Sequence, residues 1–119
     1  MTIAIIGGSG GLGEAVVRRV ALRAPVVVGF RSNRAKADVL VEAVRAAGGK
    51  ACALPVDITA SDSVRDFFAL AARDLGAVEH IISATGPPIP LAPLLDVSEA
   101  DFRRIMETDV LGTFNVLRH

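Results

Sequence analysis

The stretch IIGGSGGLGEAVV, residues 5–17, decides the fold, and its glycines can be read in two registers. They spell G-x-G-x-x-G when read as Gly8, Gly10 and Gly13. They spell G-x-x-x-G-x-G when read as Gly7, Gly11 and Gly13. An apolar run precedes the glycines and an amphipathic run follows them, which predicts a sharp turn from a buried strand into a helix. Either register would suit a dinucleotide at that turn.

The rest of the chain repeats this alternation of a short apolar run and a helical periodicity. Apolar runs that predict strands lie at residues 3–7, 26–30, 51–57 and 79–83. The clearest amphipathic helix covers residues 64–75 and is closed by Gly76. A last helix is predicted to begin at Ser98, with Asp101 as its capping-box partner. Alternating strands and helices predict an α/β fold with a doubly wound parallel sheet.

Composition limits the class of protein. The 119 residues suffice for one domain, and 13 acidic residues balance 13 basic ones, which argues against a nucleic-acid or membrane surface. The single cysteine, Cys52, is interpreted as a core residue and favours a reducing compartment. His80 and His119 lack partners at metal-ligand spacing, so no metal site is predicted. No signal-peptide pattern opens the chain and prolines interrupt residues 87–93, so a soluble cytoplasmic protein without a membrane helix is expected.

The turn after the first strand has the chemistry of a phosphate site. The first backbone N–H groups of the following helix lack partners within the helix, and the helix dipole adds a partial positive charge there. Together they bind anions such as a pyrophosphate. Glycine suits this turn because the backbone needs a positive φ and because a Cβ would hold the phosphate away. The strand-to-helix context therefore favours a dinucleotide site, with a plain turn as the alternative.

The end of the second strand, GFRSNR at residues 29–34, bears on the choice between NAD and NADP. A site specific for NAD places Asp or Glu about 20 residues beyond the glycines, against the ribose 2′-OH. Here Arg31 and Ser32 take that place, and the first acid is Asp38. An arginine can pair with a 2′-phosphate through charge-assisted hydrogen bonds. The sequence therefore favours NADP (NADPH) over NAD, unless Arg31 and Arg34 are solvated loop charges.

Five segments together resemble the short-chain dehydrogenase/reductase family over essentially the whole chain. They are GGSGGLG, VVVGFRSN, VDIT, IISATG and TDVLGTF, in the family's order and spacing. The resemblance implies a partial Rossmann-type sheet of four βα units in the strand order 3-2-1-4. It also implies an oxidoreductase that transfers hydride between NADPH and a small carbonyl or alcohol substrate, and a homo-oligomer in the full-length form.

The resemblance further implies where the cofactor binds. The family uses the register G-x-x-x-G-x-G for the phosphates, an acidic–aliphatic pair after the third strand for the adenine ring, and the segment after the fourth strand for the ribose. The cofactor-binding residues implied in this sequence are Gly7, Ser9, Gly10, Gly11, Leu12, Gly13, Arg31, Ser32, Asp57, Ile58, Ser83, Ala84, Thr85 and Gly86.

Several positions depart from the family pattern. The Thr before the first glycine is Ile6, and two asparagines after the fourth strand are Ser83 and Ala84, so we expect a more apolar pocket wall there. The asparagine of the family's proton relay, in the fourth helix, is replaced by Asp109. Its spacing from Ile105 places Asp109 on the helix face that packs against the sheet, where a carboxylate needs a hydrogen bond or solvent. Partial exposure at a helix end and a functional role both remain open.

The family's acid–base pair, a Tyr with a Lys four residues later, has no counterpart here. The chain has no tyrosine, and its lysines, Lys36 and Lys50, fall in the second βα unit. In the family the tyrosine moves the proton while hydride passes at the nicotinamide. We therefore expect residues 1–119 to be an NAD(P)-binding domain that is truncated before the catalytic half and does not turn over alone.

Three functions are compatible with these observations: the cofactor-binding half of an oxidoreductase, a non-catalytic dinucleotide-binding or regulatory module, and an interaction fragment with a vestigial glycine loop. The expected sheet leaves its fourth strand as an apolar edge. The last helix is expected to expose apolar side chains on several sides, namely Met106, Leu111, Phe114 and Leu117. A free-standing module would protect such surfaces with charged residues, so the first function is favoured.

Overall fold

The computed structural model describes residues 1–87 and 91–119. Pro88 and Pro90, two of the prolines that interrupt the uncharged stretch, lie outside the described residues. The strands are β1 (Thr2–Ile6), β2 (Val26–Phe30), β3 (Ala51–Pro55) and β4 (Val78–Ser83). All pairings are parallel and the order is β3-β2-β1-β4, which confirms the predicted Rossmann-type topology.

Helices connect the strands and cover both faces of the sheet. They are α1 (Gly11–Val20), α2 (Arg34–Ala46), α3 (Ser61–Leu75), α4 (Glu99–Met106) and α5 (Thr113–Arg118). A short 3₁₀ helix, Leu94–Asp96, lies between β4 and α4. Among the described residues, no helix has the length and apolar content that crossing a bilayer requires.

Two apolar clusters lie on opposite faces of the sheet because successive strand side chains point to opposite sides. On one face, buried strand residues pack against Val17 of α1 and Leu40 of α2. On the other, they pack against Phe67 of α3 and Val116 of α5. Cys52 is half-buried against this second cluster, and burial raises the pKa of its thiol. The sheet is doubly wound, as predicted.

The last helix begins as predicted and then departs from α-helical geometry. The Ser98 hydroxyl oxygen accepts a hydrogen bond from the Asp101 backbone N–H at 3.0 Å, which confirms the helix start. A π-helical segment, Glu107–Gly112, separates α4 from α5. Such a segment adds a residue to the helical turn and is frequent at functional sites. The single regular helix expected here is therefore interrupted.

The predicted apolar surfaces are present on β4 and on the last helix. β4 pairs with β1 along one side, and the Ile81 side chain on this strand is 41% exposed. The apolar side chains expected to be exposed on the last helix are exposed, namely Met106, Leu111, Phe114 and Leu117.

Candidate functional site

A cleft of about 310 Å³ opens at the carboxyl end of the strands. Its wall comes from the loops that follow all four strands, because parallel strands end at one common edge of the sheet. At this edge β1 has β2 on one side and β4 on the other, so the chain leaves β1 where the strand order reverses. In open α/β sheets such a switch point is where ligands bind.

Most of the predicted cofactor-binding residues line this cleft. Those in its wall are Gly7, Ser9, Gly10, Arg31, Ser32, Asp57, Ile58, Ala84, Thr85 and Gly86. Four others lie nearby without forming the described wall, namely Gly11, Leu12, Gly13 and Ser83. The Leu12 side chain is exposed on α1.

The turn between β1 and α1 is closed by main-chain contacts. Gly7 adopts φ +77°, and a Cβ there would lie 2.9 Å from the Ala84 carbonyl carbon and oxygen. Its N–H donates to the Gly29 carbonyl at 2.9 Å, and its own carbonyl accepts from the Gly10 N–H at 3.0 Å. A Cβ on Gly13 would lie 2.1 Å from the Gly7 carbonyl oxygen. The loop after β1 can approach α1 and the loop after β4 because both positions are glycine.

The structure gives different reasons for the glycines of the two registers. Gly13, shared by both, is required by the close approach of main chain. Gly7 is required by its positive φ, and a Cβ on Gly8 would lie 3.0 Å from the Ile5 carbonyl oxygen. At Gly11 a Cβ would meet no described atom within 4 Å. No contact within the chain requires glycine at position 11, and only a bound ligand would. The register G-x-x-x-G-x-G, which includes Gly11, therefore stays a prediction.

The two arginines after β2 have different surroundings. Arg31 lines the cleft. The Arg34 guanidinium lies 5.8 Å from the centroid of the Phe30 ring, and its Nε is 3.5 Å from Asp38 Oδ2. Arg34, the first residue of α2, thus has partners close to it in the chain, whereas Arg31 lies in the loop that borders the cleft. Between them, the Asn33 side chain caps α2 by accepting from the Lys36 N–H at 3.0 Å.

Asp57 is held in place by the residues that follow it. Its Oδ1 accepts from the Thr59 hydroxyl at 2.7 Å and from the Thr59 N–H at 3.0 Å. The hydroxyl bond lowers the pKa of the Asp57 carboxyl and outweighs burial, which raises it; the charge of Arg31 lowers it further. Asp57 is thus an ionised, oriented acceptor at neutral pH, and it is the one carboxylate on the described cleft wall.

The segment after β4 forms the opposite wall. The Ala84 N–H donates to the Ile6 carbonyl at 2.8 Å, which extends the β1–β4 pairing by one bond. The hydroxyls of Ser83 and Thr85 share a hydrogen bond of 3.1 Å. Ile6 and Ala84 give this wall the apolar character expected from the departures, whereas Thr85 keeps a polar group beside it.

Asp109 does not lie on the helix face that its spacing predicts. We expected this side chain on the sheet-facing side of the helix, but it is exposed. The extra residue of the π-helical segment makes a count from Ile105 at 3.6 residues per turn fail beyond Met106. Thr108, its neighbour, lines the cleft instead. Exposure also removes the desolvation cost that made the carboxylate notable.

Several cleft residues were absent from the predicted set. They are Ile6, Phe30, Asn33, Val56, Thr59, Pro87, Arg104 and Thr108. Thr59 could have been found, because it belongs to the VDIT segment and a threonine two residues after an aspartate can bond its side chain. Arg104 pairs with Asp101 at 2.8 Å, and no local pattern in the sequence places it at the cleft.

A comparison with protein families identifies the family to which the chain belongs. The profile described as short chain dehydrogenase matches residues 1–119. The chain belongs to the short-chain dehydrogenase family. An uncharacterized oxidoreductase of Methylorubrum extorquens is 35% identical over 91% of this chain and 44% of the relative. The cis-4-hydroxycyclohexanecarboxylate dehydrogenase of Sinomonas cyclohexanicum is 33% identical over 97% of this chain and 47% of the relative. This short-chain dehydrogenase chain thus spans less than half the length of these relatives.

Solved structures of short-chain dehydrogenase type have the same fold. A dehydrogenase/reductase from Sinorhizobium meliloti superposes with a TM-score of 0.91 at 27% identity, over 98% of this chain and 46% of that one. A dehydrogenase from Burkholderia cenocepacia, with bound NADP, gives a TM-score of 0.88 at 26% identity, over 98% of this chain and 45% of that one. The short-chain dehydrogenase family consists of oxidoreductases that bind a nicotinamide dinucleotide.

Proposed function

We propose that residues 1–119 form the NADP-binding domain of a short-chain dehydrogenase that transfers hydride between NADPH and a small carbonyl or alcohol substrate. The observation that carries the proposal is Arg31, a cation in the wall of the cleft at the end of β2. An enzyme specific for NAD would place a carboxylate there to accept from the ribose 2′-OH. The bound NADP in the related Burkholderia structure supports the same choice.

The cleft residues fit the parts of a dinucleotide. At Gly7 and Gly13 a Cβ would overlap main-chain atoms, so the turn between them is tight, and the N-terminus of α1 that follows attracts a pyrophosphate. The ionised carboxyl of Asp57 can accept from the adenine amino group, and the Ile58 side chain offers an apolar contact beside it. The nicotinamide, when bound, supplies the hydride. The segment of residues 84–86 would hold its ribose.

The cofactor preference is tested by titrating the purified chain with NADPH and with NADH, following nicotinamide fluorescence. We expect NADPH to bind at least tenfold more tightly, because a charge-assisted pair with the 2′-phosphate contributes about 1.5–3 kcal/mol. The titration is repeated at high salt, where screening should reduce the difference. Equal affinities for the two cofactors at low salt would overturn the assignment to NADP.

We also propose that the 119-residue chain binds cofactor without turning it over. None of its residues is a tyrosine, and Asp109 is exposed on the π-helical segment without forming part of the described cleft wall. NADPH oxidation with a panel of aldehydes and ketones should therefore not exceed the rate in buffer. Oxidation above that rate, retained through a second purification step, would show an acid–base group within this chain and contradict the proposal.

We propose a cytoplasmic protein that acts on a small molecule and forms a homo-oligomer in its full-length form, without nucleic-acid or membrane partners. The balanced charge and the single cysteine support the location and the choice of partners. The apolar residues exposed on α4, the π-helical segment and α5 support an assembly.

A further inference from the structure

Two polar side chains are buried among the described residues, and each donates to a distant main-chain carbonyl. Thr2, at 2% exposure, donates to the Leu75 carbonyl at 2.8 Å. Asn115, at 3% exposure, donates from Nδ2 to the Ile58 carbonyl at 2.8 Å. Thr2 lies at the amino end of the strands, far from the cleft. Asn115 connects α5 to the loop after β3, whose residues line the cleft.

The contact between α5 and the loop after β3 involves more than one bond. An amide buried in apolar surroundings is costly unless it is hydrogen-bonded, so the Asn115 bond fixes the distance between the two segments. Gly112, one turn earlier, lies against Ile58: a Cβ there would be 2.6 Å from Ile58 Cδ1. Val116, next to Asn115, is buried in the same apolar cluster as Ile58. The main chain and the side chain of Ile58 are thus both held by residues 112–116.

Ile58 lies between the two residues that give this wall its polar character. Asp57 and Thr59 flank it, both line the cleft, and they are bonded to each other through the Asp57 carboxyl. A displacement of the Ile58 carbonyl would move the peptide that joins Ile58 to Thr59, and with it the Thr59 N–H that donates to the Asp57 carboxyl. The glycine turn after β1 has its own hydrogen bonds, to Gly29 and within itself, and does not depend on Asn115.

We propose that Asn115 is a positioning residue for the adenine half of the cofactor site. Its amide holds the Ile58 carbonyl, and through it the wall formed by Asp57, Ile58 and Thr59. The assignment of this wall to adenine rests on the proposed function. The Asn115 contact should therefore matter for ligands that contain the adenine half and not for the nicotinamide half alone.

The test compares Asn115→Ala with Thr2→Val, which removes a buried hydrogen bond of the same length at the opposite end of the sheet. Both variants and the original chain are titrated with NADPH, with 2′,5′-ADP and with reduced nicotinamide mononucleotide, at a temperature where all remain folded. We expect Asn115→Ala to weaken the binding of NADPH and of 2′,5′-ADP about tenfold, which corresponds to the free energy of about one hydrogen bond. Thr2→Val should leave both affinities unchanged, and neither variant should alter mononucleotide binding.

A second readout needs no ligand. The pKa of the Asp57 carboxyl, measured by NMR, should rise toward its ordinary value in Asn115→Ala as the Thr59 bonds loosen, and should not move in Thr2→Val. If Asn115→Ala does not fold, Gly112→Ala, which pushes the Ile58 side chain and keeps the hydrogen bond, takes its place with the same expectation. Absence of NADPH binding by the original chain would contradict the proposed function alone. Unchanged Asp57 titration and unchanged 2′,5′-ADP affinity would overturn the role of Asn115.

Discussion

Gly13→Ala is expected to destabilise the chain by about 2 kcal/mol or more, although alanine favours helices over glycine by about 1 kcal/mol. The added Cβ would lie 2.1 Å from the Gly7 carbonyl oxygen and 2.8 Å from the Gly8 Cα. Both are main-chain atoms, so no change of rotamer can relieve the overlap. The Gly7 carbonyl also accepts from the Gly10 N–H, so the turn cannot withdraw without losing that bond.

The measurement is urea denaturation followed by circular dichroism, with Gly11→Ala as the matched control. Gly11 occupies the same turn of α1, and a Cβ there meets no described atom within 4 Å. We expect Gly11→Ala to be as stable as the original chain or slightly more stable. Equal denaturation midpoints for Gly13→Ala and Gly11→Ala would contradict the overlap expected between a Cβ at position 13 and the Gly7 carbonyl. Weaker NADPH binding by a fully folded Gly11→Ala chain would favour the register G-x-x-x-G-x-G.

Arg31→Asp is expected to lower the affinity for NADPH about 100-fold and to leave NADH binding unchanged or stronger. The substitution removes a charge-assisted partner of the 2′-phosphate, which contributes about 1.5–3 kcal/mol, and adds repulsion between two anions. The new carboxylate could instead accept a hydrogen bond from the 2′-OH of NADH. The measurement is a pair of fluorescence titrations with NADPH and NADH at constant ionic strength.

The control for Arg31→Asp is Arg23→Asp, which makes the same change in net charge. Arg23 is exposed in the turn before β2, at the end of the strands opposite the cleft. We expect Arg23→Asp to keep the preference for NADPH, because charges separated by more than about 10 Å are largely screened at ordinary ionic strength. The same loss of NADPH affinity in both variants would mean that net charge, and not the place of Arg31, determines binding.

The strands and the helices that cover them could be predicted because each is encoded by a pattern within a short stretch of sequence. Each strand is a short apolar run, each of the first three helices has a regular apolar face, and the resemblance orders the strands. The start of α4 was equally accessible, since Ser98 and Asp101 form their cap within one turn. The loops that build the cleft follow from this topology, because parallel strands bring their ends together.

The parts that could not be predicted depend on contacts between distant segments. The periodicity of residues 99–118 does not predict a π-helical segment. A regular helix therefore puts Asp109 on the wrong face and does not indicate that Thr108 lines the cleft. Asn115 is a polar residue in a helix, which ordinarily indicates a solvent-facing position. Asn115 is buried, and its amide donates to the carbonyl of Ile58, 57 residues away, a contact that a local sequence pattern cannot reveal.

The turn after β1 is held by hydrogen bonds within the chain itself. The N–H groups of Gly7 and Gly8 both donate to the Gly29 carbonyl, and the Gly10 N–H donates to the Gly7 carbonyl. Gly13 packs closely against Gly7, which restricts the main chain of the turn further. Preorganisation of this kind means that an incoming anion need not order the loop, so little conformational entropy is lost there on association. Under the proposed function, the affinity for a phosphate at this end of the cleft therefore depends on how well it fits a turn whose shape the chain's own contacts set.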